Sequence, residues 1–128
     1  MLGTLLAGAF VAGSLAVASP AWGATQGSDT ASGCHLVAAE PTAPRGTLNG
    51  IGRREHCSDV VTYFWVRIYK AIPAWPDSEK AVIGRTYVQN TELSAKGPCD
   101  GEGDYYTHTS TATGLSGDSV ESPRASLC

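Results

Sequence analysis

The chain has 128 residues, 9 Lys and Arg against 12 Asp and Glu for a formal net charge of −3, and four cysteines. No basic stripe is present to meet phosphates, which argues against a nucleic-acid partner. An even cysteine count behind an apolar leader instead predicts a protein that works outside the cytosol and is held by two disulfides.

Residues 2 to 18 form an apolar run rich in Gly and Ala that Ser19-Pro20 ends, and this reads as the central region of a signal peptide. Small residues at Ala21, Gly23 and Ala24 place cleavage after Gly23 or Ala24, so residues 1–24 are assigned to the leader. No Lys or Arg precedes Arg45, and the missing positive start fits a start codon placed too late. A membrane-spanning helix needs about 20 mostly apolar residues and a positive cytoplasmic flank. Neither is found, so no membrane association is expected after cleavage. Ala31-Ser32-Gly33-Cys34 has the look of a lipidation site, but Gln26, Asp29 and Thr30 separate it from the apolar run. Residues 25–33, polar and rich in Gly, Ser and Thr, are expected to be a disordered lead-in. That leaves residues 34–128 as one domain, of a size that supports a single modest core.

Within it, Cys34 to Ala39 and Thr47 to His56 are the first two strands expected, with Gly50 and Gly52 marking a bulge or a close backbone approach. Val60 to Lys70 is dense in β-branched and aromatic residues without Gly or Pro, and is expected to be a central strand. Alternation puts Thr62, Phe64, Val66 and Ile68 on the core face and Tyr63, Trp65, Arg67 and Tyr69 on the other. Pro73 to Ser78 breaks the pattern, and Ala81 to Val88 returns. Glu92 to Ala95, Tyr105 to Thr111 and Ser119 to Leu127 complete the set, Pro123 confining the last to an edge. The expected fold is therefore all-β: an antiparallel two-sheet sandwich of about seven short strands, with an Ig-like topology possible.

Four cysteines allow three connectivities. Residues facing each other across a hairpin share a constant sum of numbers, so half that sum marks the turn. Cys34 with Cys57 centres on Arg45-Gly46, and Cys99 with Cys128 centres on Thr113-Gly114; both fall on turn chemistry. The other pairings centre at least one bridge inside a strand. The favoured bridges are Cys34–Cys57 and Cys99–Cys128, each worth roughly 3 kcal/mol or more by chain entropy.

Gly50-x-Gly52-Arg53 leading to Cys57, the strand Val60 to Ile68, Pro76-Asp77, and Cys99-x-Gly101-x-Gly103-x-Tyr105-Tyr106 followed by Thr113-Gly114 and Leu127-Cys128 make up a recurring pattern. In these motifs the chain resembles a group of small exported actinobacterial proteins without assigned activity. The motifs are scaffold motifs, so the resemblance implies an extracellular β-sandwich and carries over no catalytic residue. The immunoglobulin fingerprint is missing, since Trp65 follows Cys57 too closely and Gly97 stands where a tyrosine would precede Cys99.

Candidate chemistry is sparse. Asp100, Glu102 and Asp104 alternate on a loop and form a weak Ca²⁺ candidate, against a default of a solvated acidic turn. Gly117-Asp118-Ser119 and Gly114-Leu115-Ser116-Gly117 lack the residues of a serine nucleophile site and read as hairpin turns. His35, His56 and His108 lack metal-ligand spacing, although His35 and His56 adjoin the two ends of one favoured bridge. Tyr63, Trp65, Arg67 and Tyr69, with Trp75 on the adjoining loop, form an aromatic strip of the kind that binds a glycan, peptide or protein. The expectation is a secreted, non-enzymatic binding module with no cofactor and an extracellular protein, peptide or glycan as partner. The alternatives are a protease inhibitor presenting Ile72 to Pro76, and a small hydrolase using the acidic loop with His108.

Overall fold

The computed structural model describes residues 25–29 and 33–128. The leader assigned to residues 1–24 lies outside the described residues. Nine strands follow in order: β1 Thr25–Asp29, β2 His35–Ala39, β3 Thr47–Glu55, β4 Val61–Lys70, β5 Ser78–Val88, β6 Thr91–Pro98, β7 Gly103–Thr113, β8 Ser116–Glu121 and β9 Ala125–Leu127. They form two antiparallel sheets, β1-β2-β3-β6 and β5-β4-β7-β8, with β9 also paired to β7.

The seven expected strands are all present, and the two additions have separate causes. The last expected strand is cut into β8 and β9 where Ser122 turns its hydroxyl to the Thr107 N–H and Pro123 removes a ladder donor. Residues Thr25–Asp29, expected within the disordered lead-in, instead run antiparallel to β2 from Thr25 opposite Ala39 to Asp29 opposite His35. Main-chain pairing with an open edge needs no apolar side chain, so composition carried no sign of it.

Strand order settles the topology. β3 neighbours β6 in one sheet and β4 neighbours β7 in the other, the arrangement by which an immunoglobulin-like sandwich interleaves its two central hairpins. The bridge that would link β3 to β7 in an antibody domain is absent. Cys34–Cys57 instead joins the approach to β2 with the exit of β3, and Cys99–Cys128 ties the exit of β6, in one sheet, to the exit of β9, in the other. The first bridge closes a hairpin whose turn, Pro44–Gly46, lies at the expected centre. The second fastens one sheet to the other, and its midpoint falls only beside the β7–β8 turn, where Thr113 pairs with Ser116.

The core forms where the alternation of β4 placed it. Phe64, Val66 and Ile68 are fully buried and pack with Leu36, Leu48, Leu93, Ala95 and Tyr105. Beneath them, β7 contributes the buried Thr107, Thr109 and Thr111. These threonines face Gly50 and Gly52, at which an added Cβ would stand 2.7 Å from Thr107 Oγ1 and 2.3 Å from Thr109 Oγ1. Of the two meanings expected for these glycines, the close approach is the one the structure shows: β3 stays in regular register with β6 throughout. Because the sheets come so near, Thr109 Oγ1 donates to the Val37 carbonyl of β2 at 3.0 Å, satisfying a hydroxyl that burial would otherwise penalise.

Each end of the sandwich is closed by polar groups. Beyond the Cys34–Cys57 bridge, Arg54 occupies the last inward position of β3 and is almost fully buried. Its guanidinium donates to the carbonyls of Asp59, Val88 and Gln89 and to Asp59 Oδ1, at 2.8 Å to each of the two Asp59 oxygens. At the far end the Tyr105 hydroxyl donates to the Gly101 carbonyl at 2.7 Å and accepts from the Asp100 N–H at 3.2 Å. The acidic loop is thus pinned from below.

Two outcomes check this description. Gly52→Ala should destabilise by about 2 kcal/mol or more in chemical denaturation, since its Cβ would also stand 2.5 Å from Val66 Cγ2. Arg54→Ala should lose about 3 kcal/mol by stripping partners from three carbonyls at the mouth of the core.

Candidate functional site

The outer face of the β5-β4-β7-β8 sheet is laid out by its registers, because residues opposite each other in antiparallel strands share a face. Tyr63 lies between Thr86 and Ala112, Trp65 between Gly84 and Ser110, and Arg67 between Val82 and His108; Tyr69 pairs with Glu79 and Tyr106. His108 is flanked in turn by Glu121 of β8. The four β4 residues expected to form the strip do share this face. Among the described residues no third sheet lies against it.

These side chains organise one another. The Tyr63 and Trp65 rings stack with centroids 5.1 Å apart and planes 6° from parallel, and the Arg67 guanidinium lies 5.1 Å from the Trp65 centroid. Arg67 is held by Nε donating to Glu79 Oε1 at 2.9 Å and by a 3.3 Å bond to Ser110 Oγ. The strip continues through Tyr69, stacked 5.6 Å from Tyr106 and edge-on to His108 at 5.8 Å, and ends with Arg124 lying 5.2 Å from the Tyr106 ring. Gly84 is what lets the indole lie down, for a Cβ there would stand 2.5 Å from Trp65 Cδ1. The result is a ladder of two stacked groups on one face, Tyr63 with Trp65 and Arg67, and Tyr69 with His108 and the buried Tyr106.

Tyr106, Glu79, Ser110, Gly84 and Arg124 belong to this face but carried no signal in the sequence that would have named them. Tyr105 to Thr111 alternates as clearly as β4 does, yet both of its faces mix aromatic and polar residues. Only the pairing with β4 shows which set looks outward.

Trp75 stands apart. It sits on the loop between β4 and β5, 75% exposed, and no ring contact among the described residues joins it to the ladder. Pro73 and Ala74 occupy the centre of a tight turn in which Trp75 N–H donates to the Ile72 carbonyl at 3.2 Å, with Ala74 at φ 64° where glycine is the usual occupant. Asp77 braces this loop, accepting from the Ile72 N–H at 3.2 Å and from the Tyr106 hydroxyl. The Tyr106 hydrogen bond, more than the Ile72 one, holds the Asp77 carboxyl below its ordinary value, while burial and then that same bond raise the Tyr106 phenol.

The remaining candidates do not converge. Among the described residues no group of three or more His, Cys, Asp or Glu side chains is placed to hold a metal ion. Asp100, in the Ca²⁺ candidate, is taken by Lys80. His35 lies on β2 opposite Glu55, His56 is exposed after β3, and His108 is on the other sheet. Asp104 and His108 both point outward from β7, about 13 Å apart at strand spacing, with Tyr106 between them. At that separation they cannot share a proton. Comparison with protein-family models, curated proteins and solved structures finds no match to the chain.

His108 gives the face a pH dependence. Burial lowers its pKa below 6.5, Glu121 raises it in part, and Arg67 lowers it further. A histidine held below its unfolded value favours folding while both states are neutral, and loses that advantage as pH falls through the unfolded pKa. Stability should therefore decline as pH is lowered from 7 into the range just below 6.5. His108→Gln should flatten that slope in pH-dependent thermal melts.

Proposed function

We propose that the protein is a secreted, non-enzymatic binding module that meets its partner with the outer face of the β5-β4-β7-β8 sheet. The observation that carries this reading is the arrangement of Tyr63, Trp65, Arg67 and Tyr69 on a face that no strand of the other sheet pairs with among the described residues, with the buried Tyr106 beneath Tyr69 as its support. Trp, Tyr and Arg dominate binding energy in protein interfaces, and rings already locked by stacking lose little freedom on association. The ring faces of Trp65 are occupied by Tyr63 and Arg67, which leaves edges and polar rims toward solvent. That geometry favours a protein or peptide surface over a sugar ring, which would need an open aromatic face. Two disulfides and an absence of any long apolar helix among the described residues are compatible with an extracellular setting.

The protease-inhibitor reading draws on a different observation, the exposed and braced loop Ile72 to Pro76. Its tip is a tight turn rather than an extended stretch able to pair within a protease cleft, so it ranks second. If micromolar protein inhibits no member of a panel of serine and metalloproteases, that reading is removed.

The leading proposal is tested by screening the protein against arrays of extracellular proteins, peptides and glycans. The double variant Trp65→Ala, Arg67→Ala, verified as folded by circular dichroism, should then be compared on every hit. Affinity is expected to fall at least about tenfold, equivalent to about 1.4 kcal/mol. Undiminished binding by the double variant would place the site elsewhere.

A further inference from the structure

β5 is the edge of its sheet, paired with β4 on one side and hydrogen-bonded to no strand on the other among the described residues, although Gly97 of β6 packs against the main chain at Lys80 and against Ala81. It spans 11 residues without proline, whereas the opposite edge is broken into β8 and β9 by Ser122-Pro123-Arg124. Residues 82 to 87 are all exposed, on both faces of the strand. Val82 is 52% exposed beside Arg67, and Ile83, opposite Val66 on the core side, still overhangs into solvent.

The open stretch has defined limits. A register shift between Ile68 and Tyr69 interrupts the ladder opposite Lys80, and Tyr87 takes φ 53°, a conformation that strains a bulky residue. Between them Ala81 to Thr86 form a regular ladder with β4, of which Ala81 is buried against β6 and Val82 to Thr86 are exposed, with alternate N–H and C=O groups pointing away from β4. Natural sheets usually blunt such an edge, because it is a template for a further strand.

Charge decides what this edge would accept. Glu79 is held by Arg67 and Lys80 by Asp100, but Arg85 has no carboxylate partner among the described residues and reaches only the Thr91 hydroxyl at 3.3 Å. Antiparallel pairing of two copies within Ala81 to Thr86 would set Arg85 against Ala, Val, Ile, Gly, Arg or Thr in every register, never against an acid. We propose that the β5 edge binds an extended segment of a partner protein as an added strand, one that carries an acidic residue opposite Arg85 and β-branched residues around it. Main-chain hydrogen bonds would supply affinity and alternate side chains specificity. This site is separate from the aromatic face, although the outward side chains of the added strand would lie beside Trp65 and Arg67.

The test is a titration of isotope-labelled protein with the capped peptide Thr-Val-Glu-Val-Thr-Val, followed by amide NMR. Shift changes and slowed amide exchange should concentrate in Val82 to Thr86. Arg85→Glu should weaken binding at least about tenfold and transfer preference to the same peptide with Lys in place of Glu. Tyr63→Ala should leave the pairing intact, which separates failure of this proposal from failure of the face. Three results would overturn it: no β5 perturbation at millimolar peptide, loss of binding in Tyr63→Ala, or a peptide-free dimer that protects the same amides.

Discussion

The contact on which the structure depends is the one that Gly50 and Gly52 permit between β3 and the strands facing it. Side chains normally hold packed sheets about 10 Å apart. Here two inward positions carry no Cβ, and Thr107, Thr109, Val66 and Ile68 fill the space that is left. That approach brings Thr109 within reach of the Val37 carbonyl and allows a core with threonines along one strand to remain satisfied at that point. It also explains how a small domain achieves full burial of Phe64, Val66 and Ile68 with few large residues.

A thin core leaves its two ends exposed, and each is closed by a covalent and a polar device working together. At one end the Cys34–Cys57 bridge is backed by Arg54, whose charge is spread over main-chain carbonyls and Asp59. The Asn90 side chain joins them, accepting from the Cys57 N–H at 2.9 Å and donating to its carbonyl at 3.2 Å. At the other end Cys99–Cys128 spans the sheets while Tyr105, Lys70 and Lys80 hold the loop at Asp100. Of the three carboxylates in the acidic loop, that of Asp100 is engaged by Lys80.

The outer surface of the β5-β4-β7-β8 sheet carries two adjoining features of different kinds. In the proposed reading the ladder centred on Trp65 would recognise through side chains, and it is ordered by stacking and by the Arg67 to Glu79 pair. The β5 edge, as proposed, would recognise through the main chain, with selectivity from Arg85. They meet at Gly84, where the absence of a side chain seats the indole. A partner engaging the two together would combine an extended backbone with anchored side chains, the mode that gives strand-addition complexes their specificity.

Much of the scaffold was legible in the residues themselves. β-branched and aromatic density located β4, its period of two separated Phe64, Val66 and Ile68 from Tyr63, Trp65 and Tyr69, and turn chemistry at the midpoints ranked the cysteine pairs, because each of these is a local property of consecutive residues. Local properties could not show that β1 would pair with β2, that Arg54 would cap the core, or that Cys99–Cys128 would link the sheets instead of lying across a hairpin. Nor could they place Tyr106, Glu79, Ser110 and Arg124 beside the β4 strip, or identify β5 as the open edge. Those facts depend on which strand lies next to which, a property of the whole chain and not of any run of consecutive residues. Sequence thus determined the strands and the faces of β4, while the tertiary structure alone decided their neighbours, and the candidate site is made of neighbours.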